Sequence, residues 1–138
     1  MEKNRHQAES RSQACLDYAE ARRRKAEAKG KILIIEDNAP YARYLGNWLR
    51  PHGYEVETAC HSASAKKMLG GENTYVCVLA DIRLPDGDGV AILALKRKRG
   101  IAIPYIVMTQ NEDVTSAVKA MKLGAKDYLP KKMIDEHS

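Results

Sequence analysis

The chain has 138 residues, a formal net charge of +5 and 44% apolar residues, which together suit one ordinary globular domain. No apolar run approaches the roughly 18 residues that a membrane span requires, and the N-terminus lacks the apolar stretch of a signal peptide, so we expect a cytoplasmic protein. The positive charges are spread along the chain without interleaved aromatic residues, so direct binding to nucleic acid is not expected.

Residues 1–30 differ in composition from the rest of the chain. They are rich in Ala, Arg, Lys, Glu and Ser, contain no Pro, and have no Gly before Gly30. This composition favours helix, although the apolar stripe at helical spacing is too thin to bury much. We expect a charged helical or flexible extension. The alternative is a connector helix, or a nucleic-acid contact through Arg22 to Lys25.

Residues 31–138 alternate apolar runs with amphipathic segments five times. The predicted strands are KILII from Lys31, YEVETA, Tyr75 to Ala80, IPYIVMT and DYL. Four helices are predicted between these strands. The first starts near Pro40 and ends near Arg50, and the others span Ser62 to Leu69, Gly89 to about Arg99, and Glu112 to Leu123. The alternation predicts an α/β fold of three layers, with a five-stranded parallel sheet of order 2-1-3-4-5.

The expected packing of this domain follows from its composition. With no Phe and one Trp, the core should be aliphatic. On the third helix Val90, Leu93 and Ala94 are expected to face inward. On the fourth helix a single face is predicted to carry Val114, Ala117, Val118 and Met121.

Acidic residues stand where the first and third predicted strands end. Glu36 and Asp37 follow strand 1, and Asp81 follows strand 3. Because strands 1 and 3 are neighbours at the point where the strand order reverses, these carboxylates should share one pocket. Like charges at close range repel, and a divalent cation relieves that repulsion; oxygen ligands of this kind suit Mg²⁺. Thr109 after strand 4 and Lys131 after strand 5 complete a pocket for a phosphoryl group.

The sequence from Lys31 to about Lys132 resembles the receiver domain of bacterial two-component response regulators, which has a flavodoxin-like fold. The matching blocks, in chain order, are IIEDN, DIRLPDGDG, MT and AMKLGAKDYLPK. The last two blocks are most similar to receivers of the enhancer-binding, nitrogen-regulation type.

The resemblance implies a role for each residue of the pocket. Asp81 would accept a phosphoryl group from a phosphohistidine on a sensor histidine kinase or phosphotransfer protein. Mg²⁺ would be bound by Asp37 and Asp81 directly, by Glu36 through water, and by the backbone carbonyl of Arg83. Lys131 would pair with the phosphoryl oxygens. The resemblance also implies a switch, in which Thr109 turns toward the new group and Tyr128 swings inward behind it.

Taken singly, the same residues have plainer interpretations. Thr109 suits a strand by its β-propensity, Tyr128 could be a core aromatic, and a lone lysine is more often solvated. Asp86 and Asp88 lie in a PDGDG turn, and we interpret them as turn formers rather than ligands.

Two departures from the family pattern bear on the pocket. Family receivers usually have Lys-Pro with a cis bond after strand 5, but this chain has Lys131-Lys132. A non-proline cis bond costs about 3–4 kcal/mol, so we expect a trans bond, and the direction in which Lys131 points is left open. The residue after Thr109 is usually small, whereas Gln110 here is expected to slow access or alter loss of the phosphoryl group.

The C-terminus is a third departure. After Lys132 the sequence reads MIDEHS, where the family has a fifth helix of several turns. We therefore expect that helix to be missing or truncated and the output domain to be absent. Apolar surface on strands 4 and 5 and on the first helix should then be open. The face of helix 4 and strand 5 is a candidate dimer contact. A further hypothesis is that the N-terminal segment partly covers the gap.

Three functions are compatible with these features. The leading one is a phosphoacceptor switch that supports its own phosphorylation and dephosphorylation and is not otherwise an enzyme. An interaction module that has lost phosphorylation, a pseudo-receiver, is favoured by Lys132, Gln110 and the short C-terminus. A Mg²⁺-dependent aspartyl phosphohydrolase is disfavoured, because such enzymes have an acid two residues after the nucleophile, and this chain has Arg83 there.

Overall fold

The computed structural model describes residues 12–20, 29–71, 75–110 and 113–131. Residues 12–20 form a helix in which every residue is exposed. A segment that covered an apolar groove would bury part of its own surface, so residues 12–20 do not support the hypothesis of an N-terminal cover. The expectations for the fifth helix and for the Lys131–Lys132 bond fall outside the described residues.

A five-stranded parallel sheet forms the centre of the domain, as the sequence predicted. The strands are β1 (Gly30–Ile35), β2 (Tyr54–Ala59), β3 (Tyr75–Asp81), β4 (Tyr105–Thr109) and β5 (Asp127–Pro130). Their order is β2-β1-β3-β4-β5, and every neighbouring pair is parallel, which confirms the predicted topology. The carboxyl ends of the strands therefore meet at one edge of the sheet.

Four helices connect these strands. They are α1 (Ala39–Leu49), α2 (Ser62–Leu69), α3 (Gly89–Lys98) and α4 (Val114–Lys122). A short 3-10 turn, Arg50–His52, follows α1 and ends at Gly53, whose φ of 97° favours glycine. Two-residue strands at Arg83–Leu84 and Gly87–Asp88 form a small antiparallel hairpin between β3 and α3.

Two apolar clusters lie on opposite faces of the sheet and define three layers. One cluster joins the sheet to α2, α3 and α4, and includes Leu69, Leu93 and Ala120. The other joins the sheet to α1, and includes Leu45 and Leu49. The residues of β1 alternate between the clusters, with Leu33 in the first and Ile34 in the second, as expected of a strand buried on both faces.

The expectation of a purely aliphatic core is wrong. Tyr105 has no exposed surface, and Tyr75 is 5% exposed. The Tyr105 hydroxyl donates a hydrogen bond of 2.6 Å to the carbonyl oxygen of Gly89 at the start of α3. A tyrosine can be buried here because this carbonyl satisfies its polar end. The same burial raises the pKa of the Tyr105 hydroxyl above its ordinary value.

The inward face of α3 also differs from the prediction, whereas the single face predicted for α4 is confirmed, since Val114, Ala117, Val118 and Met121 line one groove. On α3, Val90 and Leu93 are buried as expected, but Ala94 is exposed and lines a groove between α3 and α4. Ile92 is buried in its place, because α3 packs against α2 as well as the sheet. On α4 the buried residues are small, Ala117 and Ala120, whereas the larger apolar residues are exposed: Val114 at 67%, Val118 at 49% and Met121 at 40%.

Candidate functional site

Three carboxylates gather at the carboxyl end of the sheet. One oxygen from each of Glu36, Asp37 and Asp81 lies within 4.8 Å of the others. They meet because β1 and β3 are neighbours whose carboxyl ends are in register, with Ile35 opposite Ala80, the residue before Asp81. Glu36 is 1% exposed and Asp81 5% exposed, whereas Asp37 is open to solvent. The predicted acidic pocket is therefore present in the structure.

Lys131 reaches this pocket from the end of β5. Its Nζ lies 2.9 Å from Asp81 Oδ2, to which it donates a hydrogen bond, and 2.9 Å from Glu36 Oε2. The direction to Oε2 does not meet hydrogen-bond geometry, so that contact is ionic. The lysine side chain is 14% exposed. The direction of Lys131, which the sequence left open, is therefore into the acidic pocket.

The buried Glu36 carboxylate has an unusual proton affinity. Burial raises the pKa of Glu36 to about 7, and the negative charge of Asp81 acts in the same direction. The Lys131 ammonium and the backbone N–H of Asn38 oppose this shift. Burial also acts to lower the pKa of Lys131, but its bonds to Glu36 and Asp81 prevail and raise it. Within the described part of the chain, three carboxylates in this pocket face the single ammonium of Lys131.

Hydrogen bonds between residues close in sequence shape the loop that follows β3. The backbone N–H of Arg83 donates to Asp81 Oδ1 at 3.3 Å. The backbone N–H of Gly89 donates to the carbonyl of Ile82 at 2.8 Å. A Cβ at Gly89 would collide with the backbone carbonyl of Asp81, so the close return of the loop requires glycine there. The loop holds the Asp81 carboxylate at the rim of the sheet.

The other two aspartates of the loop cap helices. Asp86 accepts from the backbone N–H of Ser62 at 2.6 Å and of Ala63 at 3.0 Å, at the start of α2. These bonds lower the pKa of Asp86. Asp88 accepts from the N–H of Ala91 at 2.7 Å and is the N-cap of α3. Both carboxylates are thus occupied by backbone donors.

An ion pair that the sequence analysis missed joins this loop to α4. The Asp113 carboxylate, at 4% exposure, lies 3.0 Å from Arg83 Nε and 2.9 Å from Arg83 Nη2. Its second oxygen accepts from the backbone N–H of Gln110 at 3.1 Å. The two residues of the pair lie 30 positions apart in the sequence, so no local pattern could have revealed it.

Thr109 and Tyr128 occupy different environments. Thr109 is 6% exposed at the end of β4, opposite Pro130 of β5. Tyr128 is 47% exposed, so it is not a core aromatic. Both residues line an open apolar groove of about 490 Å³ between β5 and α4, together with Val118 and Met121. The two predicted switch residues therefore lie along one groove.

The donor atoms of the acidic pocket fit a hard divalent cation. They are carboxylate oxygens, two of them on nearly buried residues, and they carry an excess of negative charge. Mg²⁺ and Ca²⁺ favour such oxygen ligands, and Mg²⁺ retains several waters when bound by a few carboxylates. Glu36, Asp37 and Asp81 are the residues that would hold the ion.

A doubly wound α/β domain with an acidic, lysine-bearing pocket at its topological switch point belongs to the class of flavodoxin-like signalling domains. Residues 32–137 match the response regulator receiver domain family, and the chain belongs to this family. It is thus a receiver domain of two-component systems, a signalling domain rather than a classical enzyme. Receiver domains generally bind Mg²⁺ and interact with histidine kinases.

Two curated relatives and one solved structure illustrate the similarity. The transcriptional regulatory protein TctD of Salmonella typhimurium is 34% identical over 101 residues, which cover 73% of this chain and 45% of TctD. The DNA-binding transcriptional regulator NtrC of Proteus hauseri is 34% identical over 109 residues, which cover 78% of this chain and 23% of NtrC. The nitrogen-regulation type is therefore among the relatives, as the sequence indicated. The chain spans less than half the length of both.

The solved structure is a response regulator from Burkholderia pseudomallei with a phosphorylated aspartic acid, calcium ion and citrate. It is 29% identical, has a TM-score of 0.67, and the match covers 75% of this chain and 60% of that one.

Among the described residues of the present chain, no helix is both long and apolar enough to cross a membrane.

Proposed function

We propose that this receiver domain is a phosphoacceptor switch in which Asp81 accepts a phosphoryl group from a phosphohistidine of a partner kinase or phosphotransfer protein. One observation carries the proposal: the Asp81 carboxylate lies at the strand end between two further acids and 2.9 Å from the Lys131 ammonium. We propose residues 31–138 as the receiver unit and residues 1–30 as an extension.

The proposed transfer is an in-line displacement at phosphorus. A carboxylate oxygen of Asp81 forms the new P–O bond while the P–N bond to the donor histidine breaks, and the imidazole leaves with the electron pair. Catalysis of this kind consists of positioning and charge stabilisation. Lys131 faces the reacting carboxylate and would neutralise charge on the phosphoryl oxygens.

The proposed metal ion is Mg²⁺, held by Asp37, Asp81 and the backbone carbonyl of Arg83, with Glu36 acting through water. When bound, the ion supplies positive charge to the transferring group. The oxygen-only donor set supports this, because carboxylate oxygens of three residues lie within 4.8 Å of one another and such oxygens suit a hard divalent cation. The phosphorylated aspartic acid and calcium ion in the Burkholderia pseudomallei regulator also support it.

The proposed readout passes through the groove between β5 and α4. A phosphorylated Asp81 adds charge and acceptor oxygens near Thr109, whose hydroxyl can donate to them. Movement of Thr109 vacates one end of the groove, and Tyr128, half-exposed along the same groove, can turn inward. We propose this β5–α4 face as the site where a dimer partner binds.

The test is intact-protein mass spectrometry after incubation with Mg²⁺ and acetyl phosphate. The expected result is a phosphoryl mass increment that disappears in Asp81→Asn and in the presence of a chelator. Asp86→Asn serves as the matched control, because it changes an aspartate of the same loop that caps α2, and it should retain the increment. An intact protein that gains no mass under these conditions would contradict the proposal and favour a pseudo-receiver.

The phosphohydrolase alternative gains no support from the structure. The residue two positions after Asp81 is Arg83, which pairs with Asp113 and supplies no carboxylic acid to a leaving group. Turnover of p-nitrophenyl phosphate would be needed to revive this alternative.

A further inference from the structure

The Lys131 ammonium has a third neighbour besides its two carboxylates. Its Nζ lies 4.8 Å from the centroid of the Tyr41 ring. A cation within about 6 Å of an aromatic centroid is attracted by the negative face of the ring. The ammonium thus has one hydrogen-bonded carboxylate, Asp81, one ionic contact, Glu36, and one aromatic neighbour, Tyr41.

Two contacts place Tyr41, one through its backbone and one through its ring. The Asn38 side chain caps α1 by accepting from the backbone N–H of Tyr41 at 3.1 Å. Asn38 in turn donates its own backbone N–H to Glu36 Oε1 at 3.3 Å. On the helix side, the Tyr41 ring stacks on Tyr44, with centroids 6.0 Å apart and planes inclined by 29°. The backbone of Tyr41 is therefore tied to the acidic loop, and its ring packs on the body of α1.

We propose that Tyr41 is a positioning residue for Lys131 in phosphoryl transfer; this inference rests on the proposed function of the pocket. Before transfer, Lys131 bonds to Asp81 itself. When Asp81 becomes the attacking group, the ammonium must exchange that bond for the phosphoryl oxygens. Its contact with the ring requires no such exchange.

The alternative positions of the lysine show why the ring is needed. The lysine stem is flexible, and its ammonium is a compact charge with no preferred direction. Glu36 is nearly buried and already lies 2.9 Å from the ammonium. It would draw the freed ammonium away from Asp81. The ring of Tyr41 provides an attraction that is independent of both carboxylates, so the ammonium stays at the reacting end of the pocket.

The test compares Tyr41→Phe and Tyr41→Leu in the full chain. Phe keeps the aromatic face, whereas Leu keeps apolar bulk without it. Tyr54→Leu is the matched control, because Tyr54 is a second tyrosine beneath a lysine, with Lys29 Nζ 5.7 Å from its ring centroid, and lies outside the pocket. Thermal unfolding of all variants establishes that each is folded.

Two measurements follow. The first is the proton shift of the Lys131 ε-methylene group, assigned by its loss in Lys131→Arg, in the unphosphorylated protein. Ring currents should displace it in the wild type and in Tyr41→Phe, and the displacement should vanish in Tyr41→Leu. The second is the rate of phosphorylation by acetyl phosphate with Mg²⁺, which should fall about threefold to tenfold in Tyr41→Leu. Tyr41→Phe and Tyr54→Leu should react like the wild type.

Equal rates for Tyr41→Leu and the wild type would overturn the proposal, as would a loss in Tyr41→Phe as large as that in Tyr41→Leu. A wild-type protein that accepts no phosphoryl group would refute the proposed function and with it any role of Tyr41 in transfer. The Lys131 proton shift would still report whether the ring contact exists, so the two failures are distinguishable.

Discussion

Lys131 Nζ lies 2.9 Å from Asp81 Oδ2, which joins residues 50 positions apart in the sequence across the carboxyl end of the sheet. The same ammonium lies 2.9 Å from Glu36, so one cation serves two nearly buried carboxylates. A metal ion and the Lys131 ammonium would therefore neutralise the same carboxylates. Removing one should change how strongly the other stabilises the folded protein.

Replacing Lys131 should make the protein more dependent on metal. Lys131→Met leaves Glu36 and Asp81 without their counter-ion, and breaking a buried pair of this kind costs about 3 kcal/mol of unfolding free energy. Mg²⁺ should restore part of that loss, because the carboxylates are then free to bind it. The measurement is urea unfolding with Mg²⁺ and with a chelator. A Mg²⁺ effect no larger in Lys131→Met than in the wild type would contradict the expected competition.

Glu36 should give the metal-free protein a distinctive pH dependence. Its pKa in the folded state is raised from 4.5 to about 7, so the folded state holds this proton more tightly than the unfolded state. That contribution to stability is complete below pH 4.5 and is lost as pH rises toward 7. Glu36→Gln should flatten this part of the profile, measured by urea unfolding in a chelator. An unchanged slope between these pH values would be inconsistent with the shift.

The Arg83–Asp113 ion pair should restrain the segment that begins at Gln110. Arg83 is 62% exposed, so its loss in Arg83→Ala should cost little stability, on the order of 1 kcal/mol or less. Asp113→Ala should cost more, because it also removes the acceptor of the Gln110 N–H. Hydrogen exchange of the Gln110 amide should accelerate in Asp113→Ala. Arg43→Ala, an exposed arginine of α1, provides the comparison, and equal exchange in both variants would refute the restraint.

Removing the Tyr105 hydroxyl should lower the unfolding free energy of the protein. Tyr105→Phe deletes a buried hydrogen bond to the Gly89 carbonyl, at a cost of about 1 kcal/mol. Tyr128→Phe is the matched control, because Tyr128 is 47% exposed and should lose almost nothing. Chemical unfolding of both variants gives the comparison. Equal stabilities would show that the Tyr105 hydroxyl contributes nothing.

The order of the strands and the acidic pocket could be predicted because their signals are local. Alternating apolar runs define the parallel sheet, and the register of β1 with β3 then brings Glu36 and Asp37 to Asp81. The cap at Asn38 obeys a local rule as well, since Asn38 stands just before α1. Asp88 was interpreted only as a turn former, although it also stands just before a helix and caps it.

The features that escaped prediction depend on contacts distant in sequence. Asp86 was interpreted as a turn former, but it caps a helix that begins 24 residues earlier. Tyr105 could not be placed in the core without knowledge that the Gly89 carbonyl lies beside it. Ala94 was assigned to the inward face of α3 because the pattern considered one neighbour, whereas α3 packs against the sheet and α2.

The shortness of β5 has a consequence for assembly. It is the edge strand of the sheet, has four residues, and ends in Pro130, which has no amide hydrogen to donate. An edge of this kind is a poor template for a further strand from another chain. A protein that associates with this side of the domain would therefore be recognised by side chains such as Tyr128 and Val118, and not by backbone pairing that enlarges the sheet.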